Sequence, residues 1–66
     1  MYDLSFEIKK MLDYVARFGG YREKEIVKDI ETITIEMNTK EHKVFRVTNK
    51  DGYSFEYDVI TNKIVG

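Results

Sequence analysis

The sequence predicts a two-layer α+β domain, with a long N-terminal helix and a short second helix packed on a three-stranded antiparallel meander. Three observations lead there. Apolar residues recur at helical spacing between Asp3 and Phe18, switch to a period of two from Ile30, and form two alternating runs that meet at Asp51-Gly52. A period near 3.6 buries one stripe of a helix, whereas a period of two buries one face of a strand. The 66 residues allow one domain. A chain of this size hides only about 60% of the surface its unfolded form exposes. With no cysteine, neither a disulfide nor a thiolate metal site can staple it, so its stability rests on the apolar core.

The first helix is read over Asp3 to Phe18. Leu4, Ile8, Met11, Leu12, Val15 and Phe18 fall on one stripe at the spacing of a core-facing helix. Asp3 or Ser5 can accept a hydrogen bond from the free N–H groups at its start. Gly19-Gly20 supplies the residue of positive φ that commonly ends a helix. On the opposite face Phe6 sits beside Lys10, Asp13 and Arg17, and Asp13 and Arg17 are spaced to pair. Phe6, Lys10 and Tyr14 form a candidate contact patch; the alternative is that Phe6 folds back onto Tyr2 or the core edge.

From Tyr21 to Asp29 the pattern is mixed. Ile26, Val27 and Ile30 fit a short helical face, which is read as a second helix near 22–28. From Ile30 to Met37 the period is two, with Ile33, Ile35 and Met37 on one face and Thr32, Thr34 and Glu36 on the other: a half-buried strand. Asn38 to His42 is too short for a parallel crossover and suits a hairpin loop. Strand two is Lys43 to Thr48 and strand three Tyr53 to Ile60. Thr61-Asn62 breaks the pattern, and Lys63-Ile64-Val65 extends or recrosses the sheet edge.

The faces determine the register of the central hairpin. A two-residue loop at Asp51-Gly52 would set Val47 against Glu56 and mix apolar with charged positions. A three-residue loop, Lys50-Asp51-Gly52, sets Val47 against Phe55 and Phe45 against Tyr57, with Gly52 in the left-handed region as a bulge. A slip by one residue inverts every side chain, so burial selects the second register. Tyr53, Phe55, Tyr57 and Val59 then face the helices. The outer face carries Thr32, Thr34, Glu36, Val44, Arg46, Thr48, Ser54, Glu56 and Asp58, and is expected to be polar, mixed in charge and open. Arg46 lies opposite Glu56, with Glu36 approaching it from the first strand.

Chemistry is sparse. Glu36, Glu56 and Asp58 on an open face beside Arg46 lack the divergent environments that acid–base catalysis requires, and read as cross-strand pairing. His42 is the only histidine, has no ligand-like spacing to other donors, and reads as a surface loop residue. Ser5 and Ser54 have no nucleophile context, and Gly19-Gly20 ends a helix instead of opening a phosphate loop. No catalytic residue, metal ligand or cofactor site is therefore expected. Eleven basic against twelve acidic residues give a net charge of −1, without the basic excess of nucleic-acid binders. No basic segment leads from Met1 into an apolar run, and no run approaches transmembrane length, so a cytoplasmic location is the default expectation.

What remains is surface. The strand edge over 30–37 has no proline or lysine to blunt it between Thr32 and Met37, and a partner strand or a second copy can pair there. The segment Phe55-Glu56-Tyr57-Asp58-Val59-Ile60-Thr61-Asn62-Lys63-Ile64-Val65 resembles the closing strand of PepSY domains, with Asn62 where glycine is usual and Tyr57 directly adjacent to Asp58. The order of helices and strands is similar to the wider group that includes the repeats of β-lactamase inhibitor protein. The resemblance implies a non-enzymatic domain that binds or inhibits another protein, often a peptidase, and carries over no functional residue. The expected function is thus a small protein-binding module that modulates or inhibits a larger partner. Its contacts are expected through Arg46, Glu56, Glu36 and Asp58 on the sheet, or through Phe6, Lys10 and Tyr14 on the helix. Nucleic-acid binding through the sheet is the alternative, and an enzyme the third option.

Overall fold

The computed structural model describes residues 5–66. The elements are α1 (Ser5–Phe18), α2 (Tyr21–Val27), β1 (Ile30–Asn38), β2 (Lys43–Asn49), β3 (Ser54–Asp58) and β4 (Lys63–Ile64), with the strands in order β1-β2-β3-β4. All neighbouring strands are antiparallel. The α+β architecture is the expected one, with four strands instead of three. The capping role of Asp3, the stripe position of Leu4 and the packing of Phe6 on Tyr2 lie outside the described residues.

The glycine pair that ends α1 works differently from expectation. Neither Gly19 nor Gly20 has positive φ. Gly19 is needed because a Cβ there would stand 2.6 Å from the Val15 carbonyl oxygen, the same oxygen its N–H bonds. Gly20 is the N-cap of α2. Its carbonyl accepts from Lys24 N–H, and its own N–H donates to Glu23 Oε1 at 2.9 Å, the return half of a capping box. Two residues thus close one helix and open the next.

The core joins Met11 and Val15 of α1, Ile26 of α2, Phe45 and Val47 of β2, and Phe55, Tyr57 and Val59 of the β3 region. Full burial of each such side chain contributes about 1.5–3 kcal/mol. The buried stripe of α1 is turned from the expected one. Phe18 is 70% exposed and Leu12 also reaches solvent, whereas Tyr14 packs against the core with its ring 5.6 Å from that of Tyr57. Tyr53 was expected on the core face but is 63% exposed, because β3 begins one residue later, after the turn.

The β2–β3 register is the expected one throughout: Val47 opposite Phe55, Phe45 opposite Tyr57, Arg46 opposite Glu56 and Thr48 opposite Ser54. Gly52 has φ of 89°. The buried Asn49 side chain organises the turn, its Oδ1 accepting from Asp51 N–H at 3.0 Å and Tyr53 N–H at 2.9 Å. An Asn or Asp that bonds its own backbone two residues on is a recurrent turn device.

β1 departs from simple alternation. The register shifts between Ile30 and Thr32 and again between Ile35 and Met37, so Glu31 and Glu36 are bulge residues. Ile33 and Ile35 pair with the inward-facing Val47 and Phe45, but Met37 pairs with Val44 and lands on the outer face. The expectation that Ile33, Ile35 and Met37 share one face fails at that bulge. The bulges also blunt the open edge that the sequence left without proline or lysine.

β4 exists because the turn after β3 is tightly built. Asn62 takes φ of 57°, the left-handed position that its short polar side chain tolerates. Tyr57 Oη donates to Asn62 Oδ1. Ile64 and Lys63 then pair with Tyr57 and Asp58, and the chain continues alongside β3, with Val65 N–H donating to the Glu56 carbonyl.

Candidate functional site

The outer face of the sheet is a set of cross-strand rows. The first row runs Met37, Val44, Asp58 and Lys63; the second has Thr34, Arg46 and Glu56; the third has Thr32, Thr48 and Ser54. The face therefore grades from an apolar end, through charge, to hydroxyls.

At the apolar end lies a groove of 420 Å³ with Val44 on its floor, Met37 and Val65 as walls, and His42, Asp58 and Lys63 around it. Met37 is 47% and Val65 53% exposed. The expectation of a uniformly polar, open outer face is corrected here. Val44 and Asp58 are both buried, Asp58 at only 1% exposure. The cause is the chain beyond Asn62, which folds back as β4 and walls the face on one side.

Asp58 holds three segments together. Its Oδ1 accepts from the backbone N–H groups of Lys43 at 3.2 Å, Ile60 at 3.0 Å and Thr61 at 3.3 Å. Its Oδ2 lies 2.6 Å from His42 Nδ1. Burial alone would push this carboxyl up, but the bonds from His42, Lys43, Ile60 and Thr61 outweigh it and hold the pKa at about 2. Asp58 is thus an ionised cornerstone and not an exposed contact. His42, expected as a plain loop residue, is half exposed and anchored through its ring to Asp58. The sequence signal was present: Asp58 followed by a turn is a recurrent backbone-capping position. Tyr57 beside it is pushed up to about 12, chiefly by burial, with Tyr14 and the Asp58 charge adding to the effect.

In the second row Arg46 Nη2 lies 3.2 Å from Glu36 Oε1 and 3.7 Å from Glu56 Oε1, the expected three-residue cluster. Glu36 reaches Arg46 from the bulge. All three side chains are roughly half to two-thirds covered, and such surface pairs contribute about 0.2–1 kcal/mol each.

The helix patch is not assembled as expected. Phe6 is exposed, and with Lys9, Lys10 and Asp13 lines a shallow depression of 370 Å³. Lys10, however, donates from Nζ to the Val59 carbonyl at 2.8 Å, which ties α1 to the sheet. Tyr14 turns to the core. The expected trio therefore reduces to Phe6 and its charged neighbours. A third recess of 280 Å³, which sequence reasoning missed, lies between α2 and the β2–β3 turn over Ile26 and Asn49, with Tyr21 and Tyr53 exposed beside it.

Among the described residues no group of three or more His, Cys, Asp or Glu side chains is placed to hold a metal, and no helix is long and apolar enough to cross a membrane. No known family matches the chain, and neither does any curated protein or solved structure.

Proposed function

We propose that this chain is a small, non-enzymatic, cytoplasmic protein-binding module that modulates or inhibits a larger partner through the outer face of its sheet. The observation that carries the reading is the groove between Met37 and Val65. Two half-exposed apolar side chains flank a buried valine, next to a row of charged groups. An apolar centre with a polar surround is the usual anatomy of an interface core. The likeness of residues 55–65 to the closing strand of PepSY domains points the same way, and the cysteine-free composition suits a reducing compartment.

Affinity capture with the tagged protein tests this. Met37→Asp and Arg46→Glu should each lose the partner, while Phe6→Ser should retain it. The reverse pattern would move the site to the helix. Capture of nucleic acid with a steep salt dependence would replace the reading with the alternative one.

The open edge of β1 admits a second copy as a further partner. Its regular stretch, Thr32–Ile35, is the only part between the two bulges. Sedimentation between about 10 and 500 μM, a span covering weak interfaces, checks it: a mass that rises with concentration supports pairing, and a constant monomer mass rejects it.

A further inference from the structure

Among the described residues of the outer face each acidic side chain has a partner, and one basic side chain has none. Arg46 is shared between Glu36 and Glu56. Asp58 is saturated by three backbone N–H groups and by His42. Lys63 stands directly opposite Asp58 in the β3–β4 register, where an ion pair would be natural, but the Asp58 carboxylate is turned to the backbone and to His42. Lys63 therefore lines the groove as an exposed ammonium with no ion-pair partner among the described residues.

We infer that the groove takes a segment of a partner protein in which an aliphatic side chain is followed closely by a carboxylate. The aliphatic group seats on Val44 between Met37 and Val65, and the carboxylate meets Lys63, with the half-exposed His42 ring beside it. The sign follows from electrostatic complementarity: the uncommitted charge of a binding face selects the opposite charge on its partner and disfavours the like one. A cationic segment would have to approach Lys63 against repulsion, with Glu36 and Glu56 already engaged by Arg46. This inference rests on the outer-face reading above, and narrows it from a protein partner to an acidic-apolar one.

The test uses the full chain, labelled with ¹⁵N, and two capped peptides, acetyl-Ser-Leu-Asp-Leu-Ser-amide and acetyl-Ser-Leu-Lys-Leu-Ser-amide. The aspartate peptide should shift the amide signals of Met37, Val44, Lys63 and Val65, and the lysine peptide should bind them about tenfold more weakly or not at all. Lys63→Glu should reverse that preference, and Lys63→Met should abolish it while keeping weak apolar binding. Dispersed spectra of both variants would show that they fold. Equal binding of the two peptides, shifts that map to another surface, or no binding of the aspartate peptide at millimolar concentration would overturn the inference. If that happens while Met37→Asp still loses the captured partner, the outer-face reading stands and only the acidic character of the occupant falls. If Met37→Asp retains the partner, the outer-face reading itself falls.

Discussion

Two turns flank β3, and both are built on a buried polar side chain whose Oδ1 collects backbone N–H groups. At one end Asn49 takes two, from Asp51 and Tyr53. At the other Asp58 takes three, from Lys43, Ile60 and Thr61, and adds His42 on its second oxygen. The first side chain is neutral and serves its own loop. The second is charged and binds its own loop to the start of β2. A neutral acceptor suffices where only one turn must be satisfied. An ionised one can hold more donors, because hydrogen bonds to a charged group are about twice as strong as neutral ones. The cost is dependence on pH.

The sharpest way to break this comparison is Asp58→Ala. It removes the acceptor for three N–H groups and frees His42, and should destabilise the fold by roughly 3 kcal/mol in urea unfolding. Hydrogen exchange should show β4 released first, because Lys63 and Ile64 pair only with β3. Destabilisation below about 1 kcal/mol would mean that Asp58 is not the organising group.

Acid titration comes next. The folded pKa of Asp58, at about 2, lies below its ordinary value of 3.8. The stabilisation is therefore complete above the ordinary value and lost as pH falls through about 2, since the unfolded chain takes up the proton first. A difference of that size corresponds to roughly 2 kcal/mol. Asp58→Asn keeps an acceptor but no charge, and should flatten the acid limb of the stability curve. Asn49→Ala should leave that limb unchanged.

Asn49→Ala should cost about 1–2 kcal/mol, since two turn N–H groups lose their acceptor but lie close to solvent. Gly52→Ala should cost about 1 kcal/mol, because φ there is 89° although the space around it is open. Thermal unfolding of both variants orders them. A larger effect at Gly52 than at Asn49 would place the strength of that turn in its backbone and not in its side-chain acceptor.

The asymmetry between the turns also explains what could be read from the sequence. The Asn49 turn was legible because Asp51-Gly52 marks it and two long alternating runs fix its register. The Asp58 turn was only partly legible. Thr61-Asn62 signalled a break and Asn62 a left-handed residue, but a two-residue strand is too short to carry periodicity. The burial of Asp58 depends on β4 and on His42, sixteen positions away in sequence. Helix α1 was legible over its described length, to its end at Phe18, and less so in rotation. Its apolar stripe is broad, and contact with Tyr57 drew Tyr14 inward at the expense of Phe18. Of the candidate site, the Arg46–Glu56 pair was visible because it follows from register alone, and Glu36 because β1 is the neighbouring strand. The groove was not, because Met37 reaches it through a bulge that no turn residue announces.

That bulge has a consequence for how the surface is encoded. Glu36 is the extra residue next to Met37, which lies on the side of Val44 and Val65. Deleting it would close the bulge and leave Met37 directly after Ile35 in regular alternation, still opposite Val44 on the outer face, at the loss of the Glu36–Arg46 ion pair. The bulge therefore adds an outward carboxylate beside Arg46 without giving up the wall of the groove. The apolar wall and the charge cluster are thus separable, and a strand one residue shorter at this point keeps the first and loses the Glu36 arm of the second.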